Sequence, residues 1–287
     1  MVISAVAFCP GHISGYFRRV EGDSVETTGS TGAGVVISEG VRATVLKADE
    51  PSVEIRRSNA HNHEIARISG SKPLESVMAR LGVCAAVTTE CRLPLEAGFG
   101  LSAAALLAGI TALDVLHGLS LGSREIIRLA HETEIGHRSG LGDVAACQGG
   151  GLECRPTAGI HADITRSLDV PGMIATVTLG TLETSSVIGS PGAMARVADA
   201  YPGRCPTDIF DFFRLSRQFA EHSGLIAPGV RDILDACDSA GVPASMTMLG
   251  NGVFAYGDTA AAVLSPYGNV AVMTVARSGV RMLEVTS

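Results

Sequence analysis

The sequence predicts an α+β protein built from two domains. The chain has 287 residues, which is long for one hydrophobic core and comfortable for two. Segments typical of strands are mixed with segments of helical periodicity, and hydrophobic residues make up 46% of the chain. Around residues 165–172 the composition becomes polar and rich in proline and glycine. We therefore expect an N-terminal domain over 1–168 and a C-terminal domain over 169–287.

Apolar runs and turn residues predict the elements of the N-terminal half. The first strand is expected to end at the turn-forming pair Pro10-Gly11, and the next two strands to be joined around Gly40. Pro73 suits the first turn of a helix, and Ser123 is a suitable N-cap. The strands are expected at 2–8, 35–37, 41–46, 53–57 and 84–93, and the helices at 71–81, 102–117 and 123–135.

The C-terminal half has the pattern of an α+β domain with mostly antiparallel strands. Strands are expected at 173–179, 244–249, 253–256, 270–276 and 281–285, and helices at 193–200, 207–222, 228–240 and 258–264.

Composition excludes several classes of partner. The formal net charge is −7 and there is no basic run, which argues against nucleic acid and anionic membrane surfaces. No apolar run approaches the ~18 residues of a membrane span, so we expect a cytoplasmic protein. The seven cysteines form no CxxC motif, and their apolar surroundings predict reduced, buried thiols.

The stretch PLEAGFGLSAAALLAG, residues 94–109, places small residues where a strand gives way to a helix. Three interpretations are open: a close packing contact, a dinucleotide fingerprint, or a cradle for phosphate. The fingerprint requires a parallel strand after the helix, whereas here a second helix follows from Ser123. The free N–H groups at the start of the helix favour an anion and need no lysine, which suits a chain with only Lys47 and Lys72. The lysine-containing P-loop pattern is absent.

The segment PLEAGFGLSAA, residues 94–104, resembles the P-x-x-x-G-L-x-S-S-A-A motif of the GHMP kinases, a family of ATP-dependent small-molecule kinases. FCPGHISGYF (8–17) and SMTMLGNGVF (245–254) are similar to the first and third motifs of that family. The resemblance implies an N-terminal ribosomal-protein-S5-domain-2-like domain and a C-terminal ferredoxin-like α/β sandwich. It also implies that ATP is bound by Pro94, Gly98, Phe99, Gly100, Leu101, Ser102, Ala103 and Ala104. Phe99 and Leu101 depart from the motif.

Phosphoryl transfer needs a divalent cation and a group that positions the acceptor hydroxyl. Helical periodicity places Glu134 on the apolar face of its helix and Glu132 away from it, so Glu134 is the expected Mg²⁺ ligand together with Ser102. Asp143 ends a segment similar to the S-G-x-D of family members, which implies that it orients or deprotonates the acceptor. His12, where several members carry lysine, is the second catalytic candidate.

Three segments resemble one branch of the family, the archaeal pantoate kinases: residues 29–45, 140–144 and 245–255. That resemblance implies phosphorylation of the C4 hydroxyl of pantoate for coenzyme A biosynthesis, and a homodimer is common in such kinases. A guanidinium suits the pantoate carboxylate, and Arg155 is preferred to Arg138 and Arg42. The other candidate substrate contacts are Ser30, His131, Gly142 and Thr184. A mevalonate or homoserine kinase, or a catalytically silent binding protein on the same fold, remains an alternative.

Overall fold

Two β-sheets and eight helices make up the part of the chain that the structure describes, residues 2–180 and 190–287 of a computed structural model. Thr184 lies outside the described residues. Within those two ranges, no helix combines the length and the apolar character needed to cross a bilayer.

A long antiparallel hairpin forms the centre of the first sheet. Its strands are β1 (Ser4–Val20) and β2 (Gly29–Lys47), which pair along almost their whole length. The expected stop at Pro10-Gly11 and the break at Gly40 were wrong, because both strands continue through these positions. Pro10 pairs with Gly40 at a register shift, and the neighbouring strand on the other side of β1 reaches only Phe8. Pro10 therefore has no ladder partner on that side among the described strands, and such open positions are where sheets tolerate proline.

The remaining strands of the first sheet flank this hairpin. They are β3 (Ser52–Ser58), β4 (Glu64–Ser69), β5 (Ala85–Cys91), β6 (Leu152–Arg155), β7 (Thr165–Ser167) and β12 (Arg281–Thr286). The order is β12-β1-β2-β5-β3-β4, and β6 pairs with the first part of β2 and with β7. Strands β4, β6 and β7 were not predicted, because β4 is exposed throughout and the other two are only four and three residues long.

Four helices accompany the first sheet: α1 (Lys72–Leu81), α2 (Leu101–His117), α3 (Gly122–His137) and α4 (Asp143–Cys147). Helix α2 packs against β1 and β2 and is apolar around most of its circumference, which is typical of a helix buried on several sides. Its burial fixes the position of its N-terminus relative to the central hairpin.

The second sheet contains β8 (Ile174–Gly180), β9 (Ala244–Met246), β10 (Asn251–Tyr256) and β11 (Val270–Met273) in the order β11-β8-β10-β9. All its pairings are antiparallel, and this order with βαββαβ succession is that of a ferredoxin-like domain. Its helices are α5 (Pro191–Ala200), α6 (Ile209–Ser223), α7 (Pro228–Ser239) and α8 (Ala260–Leu264). The predicted α+β fold with a ferredoxin-like second half is confirmed.

Aromatic side chains join the two halves. The ring of Phe219 on α6 lies 5.9 Å from that of Phe17 and 6.4 Å from that of Tyr16, both on β1. Strand β12 returns to the first sheet and pairs with β1, so the last residues of the chain complete the N-terminal sheet. The boundary at 168/169 remains a prediction.

A disulfide also links the two halves. Cys154 on β6 is bonded to Cys205, with 5.7 Å between their Cα atoms. The expectation that all cysteines are reduced was wrong for this pair, because strand β6 and the loop before α6 come together only in the folded chain. The other five cysteines are free.

Candidate active site

A cavity of about 430 Å³ lies beside the N-terminus of α2 and is the size of a small-molecule site. Residues from all three glycine-rich motifs contribute to it, together with the loop before α4. Its walls include Ser14, Ser30, Pro94, Gly98, Phe99, Gly100, Leu101, Ser102, Gly142, Asp143, Arg155 and Met248.

The N-terminus of α2 offers backbone donors to this cavity. Gly100 is the N-cap residue, in the left-handed conformation with φ of 60°. The amides of Leu101, Ser102 and Ala103 are in the first turn and have no acceptor one turn back along the helix. The amide of Ala104 already donates to the carbonyl of Gly100 at 3.1 Å, and its side chain is buried. The first three amides, with the helix dipole, make this end of α2 suitable for an anion, and we call it the anion-binding end.

Close backbone packing holds this end in place. Gly98 has a φ of 81°, and a Cβ there would lie 2.6 Å from the carbonyl oxygen of Met248 in the third motif. On the other side, the amide of His12 donates to the carbonyl oxygen of Phe99 at 2.9 Å. All three motifs that suggested the resemblance thus meet at the start of α2.

A buried hydrogen-bonded cluster lies next to the anion-binding end. His12 Nδ1 is 2.7 Å from Asp143 Oδ1, and His12 Nε2 is 3.0 Å from Glu153 Oε1. Glu153 also pairs with Nη1 of Arg155. A Cβ on Gly100 would lie 3.2 Å from His12 Cβ and 3.4 Å from Asp143 Cγ. The Asp143 carboxylate is therefore beside the N-terminus of α2.

Electrostatics fix the charge states in this cluster. Burial alone would lower the pKa of His12, but its hydrogen bonds to Asp143 and Glu153 outweigh burial and raise that pKa to about 9. Although burial opposes it, the hydrogen bond from His12 and its positive charge lower the pKa of Asp143. The pKa of Glu153 is also lowered against burial, chiefly by the charge of Arg155 and the hydrogen bond from His12. At neutral pH the cluster is an imidazolium between two carboxylates.

Glu134 on α3 has the environment of an unsatisfied buried acid. Its side chain is 1% exposed and packs against Gly140, and no side chain among the described residues donates to its carboxylate; a weak contact with the backbone N–H of Val144 only partly offsets the burial. Burial, followed by the charge of Asp143, raises its pKa. Glu132, two residues before Glu134, is instead paired with Arg80 and Arg128 at the surface.

The chemistry of Glu134 fits a divalent cation, which would compensate a buried carboxylate that has no side-chain partner in the described structure. Over residues 2–180 and 190–287, no group of three or more His, Cys, Asp or Glu side chains could hold a metal ion. A cation here would accordingly take most of its ligands from a bound phosphate and from water, as Mg²⁺ commonly does. Ser102 lines the cavity and Glu134 does not, so the pairing of these two ligands remains a prediction.

Arg155 and Ser30 form a further part of the cavity wall, against Gly142. The Arg155 side chain is 1% exposed, and its Nε and Nη2 atoms have no hydrogen-bond partner within the described parts of the chain. A Cβ on Gly142 would lie 2.3 Å from Ser30 Oγ and 3.2 Å from Arg155 Nη2. Two buried guanidinium donors thus remain free beside a serine hydroxyl, which is an arrangement suited to a carboxylate.

His131 differs from the other predicted substrate contacts. It does not line the cavity, and its Nε2 lies 3.0 Å from the carbonyl oxygen of Thr28 and 3.1 Å from that of Val25. Burial lowers its pKa. The neutral ring can donate one hydrogen bond to these carbonyls, so in this structure His131 holds the segment that leads into Ser30.

Glu153 is the polar residue of the cluster that the sequence analysis missed. It is fully buried on β6, two positions before Arg155, so both side chains point to the same side of the strand. An acid two positions before a candidate arginine is the signal that could have identified it. That signal was lost because β6 itself was not predicted.

Comparison with known proteins gives consistent results. The model of the GHMP kinases N terminal domain matches residues 71–151. A pantoate kinase of Methanospirillum hungatei is 44% identical over 277 residues, which cover 96% of each chain. A pantoate kinase of Methanocaldococcus jannaschii is 28% identical over 86% of this chain and 90% of its own. A solved structure described as a phosphotransferase related to the CoA biosynthesis pathway superposes with a TM-score of 0.80, at 23% identity over 97% of this chain and 98% of its own.

Proposed function

The chain belongs to the GHMP kinase family, and we propose that it is an ATP-dependent kinase that phosphorylates the C4 hydroxyl of pantoate. The product would be 4-phosphopantoate for archaeal coenzyme A biosynthesis. One observation supports this most strongly: a backbone anion site, an ionised carboxylate and two unpaired guanidinium donors meet in one cavity. These are the groups that a phosphoryl donor and a hydroxy acid require.

On the donor side, the first turn of α2 would hold the phosphates of ATP. The amides of Leu101, Ser102 and Ala103 supply the donors, and the left-handed Gly100 lets the chain approach the phosphates closely. Pro94, Gly98 and Phe99 line the same cavity. Neither lysine of the chain belongs to its walls, so neutralisation of the phosphate charge would depend on the helix terminus, on a cation and on Arg138, which lines the same cavity.

Glu134 and Ser102 are the residues we propose for Mg²⁺. When bound, Mg²⁺ would neutralise phosphate charge as phosphoryl transfer proceeds. Glu134 would be ionised in that state, because the cation replaces the side-chain hydrogen-bond partners that its carboxylate lacks.

On the acceptor side, we propose that Arg155 binds the pantoate carboxylate through Nε and Nη2 and that Ser30 and Gly142 shape the adjoining wall. Thr184 stays a prediction from the sequence. A substrate fixed by its carboxylate at this wall would present its other end toward Asp143, which lines the same cavity.

Asp143 would accept a hydrogen bond from the C4 hydroxyl and aim its oxygen at the terminal phosphate. Because the pKa of Asp143 is lowered, its carboxylate is a weak base that orients the hydroxyl and takes its proton late, as the bond to phosphorus forms. The imidazolium of His12 holds this carboxylate in place and balances its charge. Phosphoryl transfer with a loose transition state depends mainly on such positioning.

The experiment that tests the function is a product assay with purified protein, ATP and Mg²⁺ on four acceptors: pantoate, pantothenate, mevalonate and homoserine. We expect pantoate to be converted fastest. Faster conversion of mevalonate or homoserine would move the protein to another branch of the family. Negligible turnover of all four, with binding of ATP or pantoate retained, would favour a silent binding protein and overturn the kinase assignment.

Two further parts of the assignment remain proposals. We propose a cytoplasmic location because the reaction consumes ATP, and a homodimer because that state is common in such kinases. Fractionation of cells and sedimentation of the purified protein are the corresponding measurements.

A further inference from the structure

Glu153 has no role in the reaction described above, although it is completely buried and charged. Its Oε1 atom receives both Nε2 of His12, at 3.0 Å, and Nη1 of Arg155. Its Oε2 atom has no hydrogen-bond partner within residues 2–180 and 190–287. A buried carboxylate is costly unless its partners compensate for the loss of water, so its presence in the centre of this site calls for a physical reason.

The strand pairing shows how the contact to His12 is built. Glu153 on β6 lies opposite Gly34 on β2, and His12 is on β1, the strand on the other side of β2. A Cβ on Gly34 would lie 2.0 Å from His12 Nε2. The imidazole of His12 therefore crosses β2 at Gly34, which has no side chain, and reaches Glu153 on β6.

The contact to Arg155 comes from the period of the strand. Glu153 and Arg155 lie on the same side of β6, so the Glu153 carboxylate bonds one of the three guanidinium nitrogens of Arg155. The other two, Nε and Nη2, have no partner in the described residues and face Ser30 and Gly142. An arginine whose third nitrogen is fixed in this way has its remaining two donors preoriented for a carboxylate, and less conformational entropy is lost when that carboxylate binds.

We infer that Glu153 is a positioning residue, which orients His12 against Asp143 and Arg155 against the acceptor through one carboxylate. This role deepens the proposed function and rests on it. Loss of the Glu153 charge would weaken the contacts to His12 and to Arg155 together, so both the turnover and the binding of the acceptor would decrease. Replacement of an acid that serves only stability would change neither the turnover nor the binding of the acceptor selectively.

The charged surroundings of His12 give the expected pH dependence. Asp143 faces it from α4 and Glu153 from β6, while Cys147 lies nearby on α4 and Arg155 and Arg166 act on Glu153. Burial lowers the pKa of His12, and the two acids raise it to about 9. The imidazolium is therefore present below that pH and is lost above it. Without the Glu153 charge the loss should occur at lower pH, since burial then opposes one acid only.

The test compares wild type with Glu153→Gln, which keeps the size and an acceptor oxygen but removes the charge. At neutral pH we expect kcat/KM for pantoate to fall about tenfold or more, while KM for ATP changes by less than about twofold. The alkaline limb of kcat should move down by about one pH unit or more. Glu153→Asp restores the charge and should recover most of the alkaline limb.

A direct readout does not require any turnover. The imidazole of His12 is followed by NMR titration in protein without ATP or acceptor, with Glu132→Gln as the control for loss of an acid outside the site. We expect a midpoint near 9 in wild type and in the control, and a lower midpoint in Glu153→Gln. A wild-type midpoint at or below the ordinary value for histidine would overturn the inference even if Glu153→Gln failed to fold. So would equal midpoints and equal alkaline limbs in wild type and Glu153→Gln. Failure of the acceptor assay alone would instead remove the proposed function.

Discussion

Replacement of Arg155 by lysine isolates the geometry of the acceptor site from its charge. Lysine keeps the positive charge beside Glu153 but lacks the planar fork, and in wild type two nitrogens of that fork are buried without a partner in the described structure. A hydrogen bond to a charged group contributes about 1.5–3 kcal/mol. Loss of one of two such bonds to the pantoate carboxylate therefore predicts that kcat/KM for pantoate falls about 10- to 150-fold, since 1.4 kcal/mol corresponds to about tenfold.

Initial rates measure this effect, with pantoate and ATP varied in turn. We expect KM for pantoate to rise and KM for ATP to stay within about twofold of wild type, because the free nitrogens of Arg155 face Ser30 and Gly142 while the phosphates would be held by the first turn of α2. Arg42→Lys, at an exposed position, is the matched control. Thermal unfolding of both variants separates a change in binding from a loss of the fold.

The amide of pantoate makes the test specific for the carboxylate. Wild type should prefer the acid to the amide, and Arg155→Lys should show a smaller preference because it has lost part of the contact that discriminates between them. The reasoning would be refuted if the preference for the acid were unchanged in Arg155→Lys, or if KM for ATP rose as much as KM for pantoate.

Three other substitutions test the remaining parts of the site. Glu134→Gln should raise the Mg²⁺ concentration for half-maximal rate by about tenfold or more without lowering Tm, since the acid is buried without side-chain partners in the described residues; an unchanged Mg²⁺ requirement would contradict the metal role. Asp143→Asn should lower kcat by about 100-fold or more while ATP still binds, and near-normal turnover would place the acceptor contact elsewhere. Gly142→Ala would bring a Cβ within 2.3 Å of a hydroxyl in the acceptor wall and should raise KM for pantoate. In the control Gly136→Ala the added Cβ would meet no atom within 4 Å, so KM for pantoate should not rise. Equal effects of the two substitutions would argue against acceptor binding at this wall.

The parts of the site that depend on local sequence could be predicted. The N-terminus of α2, which we propose to bind phosphate, was recognisable because its glycines and the following apolar helix are consecutive in the chain. Glu134 was separated from Glu132 by helical periodicity alone, and the structure places the first in the interior and the second in surface ion pairs. The α+β class followed from the same local patterns, whereas the ferredoxin-like second half was implied by the resemblance to the GHMP kinases.

The parts that depend on pairing between distant segments could not be predicted. Strand β1 continues through Pro10 because no strand borders that position on one side, which only the sheet order reveals. The Cys154–Cys205 disulfide joins residues 51 positions apart, and the spacing of seven cysteines does not specify it. The role inferred for Glu153 depends on Gly34 and His12, which lie on other strands. The sequence pattern alone does not show which of these residues become neighbours in the fold.

Phosphorus–proton correlated NMR of the reaction product tests the central claim most directly. The protein is incubated with ATP, Mg²⁺ and pantoate, and the phosphate of the product is correlated with the protons of its carbon chain. We predict coupling of the new phosphate to the two methylene protons at C4. Coupling to the single proton at C2, or a phosphate without coupling to any carbon-bound proton, as an acyl phosphate would show, would contradict the account.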